Sequence, residues 1–217
     1  VAVSVLTDGM VIGDKDLKDG KFVVKGTAGD DLGKLEINDK DVEAEGNYFQ
    51  EAVDVVEGEN TIKVYAEDKS GKKVFDSEYK VIVDRINPEI EVKQNVTDSQ
   101  PYYTTKDAEL ALDVVIKDAT KCSAVLVNES NLVNDKAVST ELTLNESNEG
   151  TGNIELVNGL NKLELIVTDK AGNVTYLSSG GIVLDATPAR ITGIESGKAY
   201  TKSRTMKVTD KYLASVS

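Results

Sequence analysis

Gly58 to Ile90 reads GENTIKVYAEDKSGKKVFDSEYKVIVDRINPEI, and Gly159 to Ile191 reads GLNKLELIVTDKAGNVTYLSSGGIVLDATPARI. The two stretches align without a gap at an offset of 101 positions, and eight of their 33 positions are identical: Gly58/Gly159, Asn60/Asn161, Asp68/Asp169, Lys69/Lys170, Gly71/Gly172, Ser77/Ser178, Asp84/Asp185 and Ile90/Ile191. Most of the others exchange one aliphatic for another. A period of about 100 residues is too long for a solenoid repeat and matches one small domain. The chain reads as a tandem array of like modules.

The repeated phrase reads as a β-hairpin. Ile62, Val64 and Ala66 alternate with mostly polar neighbours, and Leu163, Leu165 and Val167 keep the same inward face in the second copy. Period-two alternation is the signature of a half-buried strand. Asp68-Lys69-Ser70-Gly71 and Asp169-Lys170-Ala171-Gly172 follow. Aspartate first and glycine fourth suit a type I turn whose glycine takes positive φ. Further strands are expected at roughly 21–26, 33–38, 47–56, 60–67 and 73–83 in the first module. In the second they are expected at roughly 90–94, 109–117, 123–128, 137–144, 151–157, 160–168 and 174–184. No segment sustains apolar spacing at i, i+3, i+4, i+7, so no helix is expected. About seven short strands per ~100 residues predict an all-β chain of tandem immunoglobulin-like β-sandwiches. The Cys–Trp–Cys core of antibody domains is missing, because the chain has one cysteine and no tryptophan.

The expected division is 1–85 and 86–186 for two sandwiches, with 187–217 as the N-terminal part of a third, truncated module. Pro88 and Pro188 punctuate the junctions, since proline cannot donate to a strand ladder. Val1 already lies in an alternating run, with neither an initiator methionine nor a signal peptide ahead of it, which reads as a segment of a longer protein.

The composition excludes whole classes of function. There are 25 basic and 38 acidic residues, for a net charge of −13. Nucleic acid needs clustered Lys and Arg, so it is not an expected partner. The longest apolar stretches run four to six residues, against the ~20 that span a bilayer, so no membrane insertion is expected. Histidine is absent. That removes Ser-His-Asp and Cys-His nucleophilic constellations and any His-based zinc site. Cys122 has no partner for an internal disulfide and reads as a small buried hydrophobe. No catalytic residue is assigned, and no enzyme activity is expected.

Asn38-Asp39-Lys40-Asp41-Val42, Asn47-Tyr48-Phe49, the Gly58-Glu59-Asn60 opening of a strand, Asp169-Lys170-Ala171-Gly172-Asn173 and Asp185-Ala186-Thr187-Pro188 resemble the bacterial immunoglobulin-like repeats of secreted and cell-wall proteins. They are most similar to the group that includes the glucodextranase domain-B type. Lys72 and Asn87-Pro88 depart from that group's pattern. The resemblance implies a non-catalytic extracellular role on a bacterial cell surface or in a secreted protein: spacer, stalk or adhesion module. The alternatives it leaves are accessory domains of an exported glycosidase or protease, and a calcium-stiffened adhesin. Expected partners are other domains of the same chain, with a host matrix protein or glycan as an added class.

Calcium is the one specific cofactor hypothesis, and no other cofactor is expected. Asp68 and Asp169 lie on the hairpin turn, and Asp84 and Asp185 lie at the junctions, where oxygen ligands for a hard cation would gather. The competing reading is that aspartate in a turn caps its own backbone. Tyr102 and Tyr103, beside Pro101, are the candidate sugar-stacking pair, against the competing reading of strand-edge or core aromatics.

Overall fold

The computed structural model describes residues 1–93 and 103–211. The first sandwich is built from β1 (Ala2–Val3), β2 (Met10–Ile12), β3 (Leu17–Lys18), β4 (Lys21–Thr27), β5 (Leu32–Ile37), β6 (Lys40–Asp41), β7 (Tyr48–Asp54), β8 (Gly58–Asp68) and β9 (Lys73–Val83). One sheet has β4 at its centre, paired with β1, β3 and β7; the other runs β2-β9-β8-β5-β6. A single 3-10 turn, Asp14–Asp16, is the one helical element of this sandwich among the described residues.

The second sandwich repeats the plan. Its strands are β10 (Glu89–Val92), β11 (Tyr103–Thr105), β12 (Glu109–Lys117), β13 (Ser123–Val133), β14 (Lys136–Glu141), β15 (Thr143–Leu144), β16 (Glu149–Glu155), β17 (Gly159–Asn161), β18 (Leu163–Thr168), β19 (Val174–Ser178) and β20 (Ile182–Leu184). One sheet runs β10-β12-β16-β15; the other side of the core is made by two hydrogen-bonded sets, β14-β13-β18-β19 and β11-β20-β17. In both sandwiches the opening strand divides between sheets. β1 and β10 lie antiparallel to β4 and β12, and then β2 and β11 lie parallel to β9 and β20. Two facing sheets with this strand order are the immunoglobulin arrangement. After it, β21 (Arg190–Thr192) pairs with β22 (Lys207–Thr209).

Each sandwich buries its own core, and the alternation in sequence explains why. Leu110, Leu112, Val114 and Ile116 of β12 face inward onto Leu163, Leu165 and Val167 of β18. Ile62, Val64 and Ala66 of β8 face Val24, Phe22 and Phe49 in the first. Full burial of a Val, Leu or Ile side chain is worth roughly 1.5–3 kcal/mol, so these stripes fix which face of each strand turns inward.

The strands expected at 137–144, 160–168 and 174–184 are each split in two, as β14 and β15, β17 and β18, and β19 and β20, whose halves pair with different neighbours. Two further features depart from the sequence expectation. Strands β1, β2, β3, β6 and β11 are two or three residues long, too short to show a period, and were not expected. Strand β13 continues past 128 to Val133 through a register shift between Asn128 and Leu132. It then turns at Asn134 and Asp135, both at positive φ, the tight turn that suits the twist of a hairpin. The expected hairpin turns do form: Gly71 and Gly172 take φ of 81° and 89°.

Candidate functional site

The site lies where the end of the first sandwich meets the hairpin turn of the second. Strand β9 ends at Val83, and the Asp84 N–H donates to the Ile12 carbonyl at 2.9 Å, so the parallel β2–β9 pairing sets where Asp84 stands. Arg85 is tied back to the first sandwich: its N–H and Nε donate to the two Glu57 carboxylate oxygens, each at 3.1 Å.

Asn173 spans the junction. Its Nδ2 donates toward the Asp84 carbonyl at 3.0 Å, the Ile86 carbonyl at 3.2 Å and Asp169 Oδ2 at 2.7 Å. Thr175 Oγ1 donates to the Pro88 carbonyl at 2.6 Å. Gly13 completes the fit. A Cβ there would lie 2.7 Å from the Ala171 carbonyl oxygen, a distance real side chains do not tolerate.

Three carboxylates meet at this seam: Asp84, Asp118 and Asp169, each with one oxygen within 4.8 Å of the others. Asp169 opens the β18–β19 turn; its Oδ1 accepts the Gly172 and Asn173 N–H groups at 2.6 and 2.8 Å. Asp118 follows β12, and its Oδ1 accepts the Thr120 N–H at 2.7 Å and the Thr120 hydroxyl at 2.8 Å. Asn148 holds that loop from below, donating to the Thr120 carbonyl at 2.7 Å and accepting the Cys122 N–H at 2.9 Å. Asp84 is 1% exposed. Its Oδ1 accepts the Ile86 N–H at 3.3 Å, while its Oδ2 is buried without a hydrogen-bond partner.

The charges register in the titration. Burial pushes the Asp84 carboxyl above the usual carboxylate range against the Ile86 N–H; the nearby Asp118 and Asp169 push the same way, and the Thr120 hydroxyl, itself donated to Asp118, opposes them. Burial first, then the same carboxylates, pushes the Cys122 thiol up to about 12. The thiol therefore stays protonated and is no nucleophile.

Of the four aspartates picked from sequence, Asp84 and Asp169 come together, joined by Asp118, which sequence reasoning missed. Its local signal is the Asp118-Ala119-Thr120 turn between two strands. Asp68 and Asp185 lie outside the group. Asp68 accepts the Ser70 N–H and hydroxyl at 2.8 and 2.5 Å and the Lys72 N–H at 3.0 Å, and the Ser70 hydroxyl leads in holding it below the usual carboxylate range. Asp185 follows β20 and accepts the Thr187 N–H at 3.2 Å. Tyr102 lies outside the described residues, as does the side chain of Tyr103, whose backbone pairs in β11.

No family model matches the chain, and no curated protein matches it. Solved structures overlap it only loosely. Fibronectin(III)-like modules of Clostridium thermocellum CbhA share 15% identity over 85% of this chain and 94% of theirs, with a TM-score of 0.47. A three-immunoglobulin-domain fragment of titin shares 10% identity over 84% of this chain and 64% of its own, with a TM-score of 0.49. A tetra-tandem repeat from the extending region of a large adhesion protein shares 18% identity over 88% of this chain and 50% of its own, with a TM-score of 0.38. The immunoglobulin-like assignment stands on the strand order and register. Among the described residues no helix is long and apolar enough to cross a membrane.

Proposed function

We propose that these sandwiches are non-catalytic spacer modules of a bacterial surface or secreted protein, and that their junction holds neighbouring modules in a set orientation. The surface context is carried by the resemblance of the repeated motifs. The spacer role is carried by one observation: the Asn173 amide of the second sandwich reaches two main-chain carbonyls of the linker, at Asp84 and Ile86. A linker whose carbonyls are taken up by the next module is not a free hinge. Gly13 packed on Ala171 restricts it further. The absence of histidine and the protonated Cys122 thiol remove the usual nucleophile and base pairs, in keeping with a part that extends rather than transforms.

Small-angle X-ray scattering of the chain tests this reading. One rigid arrangement of the two sandwiches is expected to fit the profile in EDTA as well as in salt. A profile that fits only a broad range of inter-sandwich angles would overturn it.

A further inference from the structure

We propose that Asp84, Asp118 and Asp169 form a calcium site shared by the two sandwiches, with the unpartnered Asp84 Oδ2 as a ligand. An acidic cluster alone says little, because exposed carboxylates often gather without a ligand. What singles this one out is Asp84 Oδ2, a carboxylate oxygen with no hydrogen-bond partner, on a side chain that is 1% exposed. Leaving such an acceptor unsatisfied incurs its full desolvation penalty. No ion pair among the described residues involves any of the three aspartates. Their neighbours donate neutral N–H and O–H groups, and these hold Oδ1 of Asp118 and of Asp169 in fixed turns.

Either a proton or a cation must compensate the cluster. The donor set selects which cation. It is oxygen only, with no histidine in the chain, and the nearby Cys122 thiol points to the Thr120 carbonyl at 3.7 Å. Carboxylate oxygens suit hard cations over zinc or copper. Calcium accepts irregular sets of six to eight oxygens at ~2.3–2.6 Å, whereas magnesium demands a near-ideal octahedron and keeps its waters. The turn-bound carboxylates here come from three separate chain segments and offer no octahedral cage of their own.

Asp84 belongs to the first sandwich, and Asp118 and Asp169 belong to the second. A cation held by all three is bound tightly only when the junction is closed, so binding and junction closure reinforce each other. The inference deepens the spacer reading and rests on the junction it describes.

The test is isothermal titration calorimetry of EDTA-stripped, dialysed protein with calcium chloride, with magnesium chloride as a second arm and thermal unfolding in parallel. The expected result is a saturable one-site calcium isotherm, weaker binding of magnesium, and a melting temperature raised by several degrees in millimolar calcium. Asp118→Asn keeps the Thr120 turn acceptor and is expected to weaken binding about tenfold or more. Asp84→Asn is expected to abolish binding while melting in EDTA no lower than the wild type, since it removes a desolvated carboxylate. Absence of calcium heat with superimposed wild-type melts would overturn the site and leave a proton as the occupant. Equal binding by Asp84→Asn and the wild type would overturn it as well, by placing the ion elsewhere. A null calorimetric result beside a rigid scattering profile in EDTA would remove the cation and keep the spacer; a flexible profile would remove the spacer itself.

Discussion

Asp68 and Asp169 occupy the same turn in the two modules, yet they do different work. Asp169 reaches across to Asn173 and sits against Asp84 and Asp118. Asp68 turns inward on its own loop, gathering Ser70 and Lys72. Those donors favour the carboxylate form and lower its pKa in the folded state. The stability this contributes is therefore fully present above the unfolded value near 3.8 and is lost as pH falls through the lower folded value. Melting temperatures of wild type and Asp68→Ala are expected to differ by a constant amount between about pH 7 and about pH 5. The gap is expected to narrow as acid takes the pH below 3.8. A gap independent of pH down to the acid limit would show that the side chain caps the turn without its charge.

At the scale of the element, the Gly-x-Asn phrase that opens β8 and β17 proves to be a loop clamp. Asn60 and Asn161 each accept the N–H four residues earlier, at Val56 and Val157. They return donors to the carbonyls of Val56 and Gly58, and of Val157 and Gly159. Asn161 carries a further load, because it is 0% exposed and its Oδ1 also accepts Asn128 Nδ2 at 2.9 Å. Truncating it strands several buried groups at ~1–3 kcal/mol each. Asn161→Ala is expected to destabilise the second sandwich by about 3 kcal/mol or more. Asn60→Ala, which lacks the buried partner, is expected to destabilise the first by less. Calorimetric unfolding of the two variants checks the order, and equal losses would contradict it.

The hairpin itself was legible in sequence because its inward stripe repeats at period two in both copies, from Ile62 to Ala66 and from Leu163 to Val167. The short parallel strands β2 and β11 were not, because three residues carry no period and their partners lie at the other end of the same sandwich. The candidate site was half legible for a similar reason. The repeat marks Asp68, Asp84, Asp169 and Asp185 as equivalent places, but Asp68 and Asp84 stand at opposite ends of one hairpin whose strands are eleven residues long. At ~3.3 Å per residue they are roughly 35 Å apart. Only the end of one module and the turn of the next can meet, which brings Asp84 to Asp169. Asp118 joined them through the loop that Asn148 holds, a contact 28 residues apart in sequence and invisible to local pattern.

For the chain as a spacer, what matters is whether two independently cored sandwiches keep one mutual orientation. Each has its own apolar cluster, and what couples them is a seam of few contacts: Asn173 on the linker carbonyls, Thr175 on Pro88, and Gly13 against Ala171. A neutral hydrogen bond is worth about 0.5–1.5 kcal/mol net. A seam of this kind therefore holds orientation by a handful of bonds, and losing its central donor should be felt at once. Cys122 is buried, so spin labels can be placed at exposed sites with little interference. The deciding measurement is the electron–electron distance distribution between labels at Thr61 and Ser139, one on each sandwich, in the wild type and in Asn173→Ala. A single narrow distance in the wild type that broadens in Asn173→Ala is the predicted result; a broad wild-type distribution, unchanged by the substitution, would contradict the account.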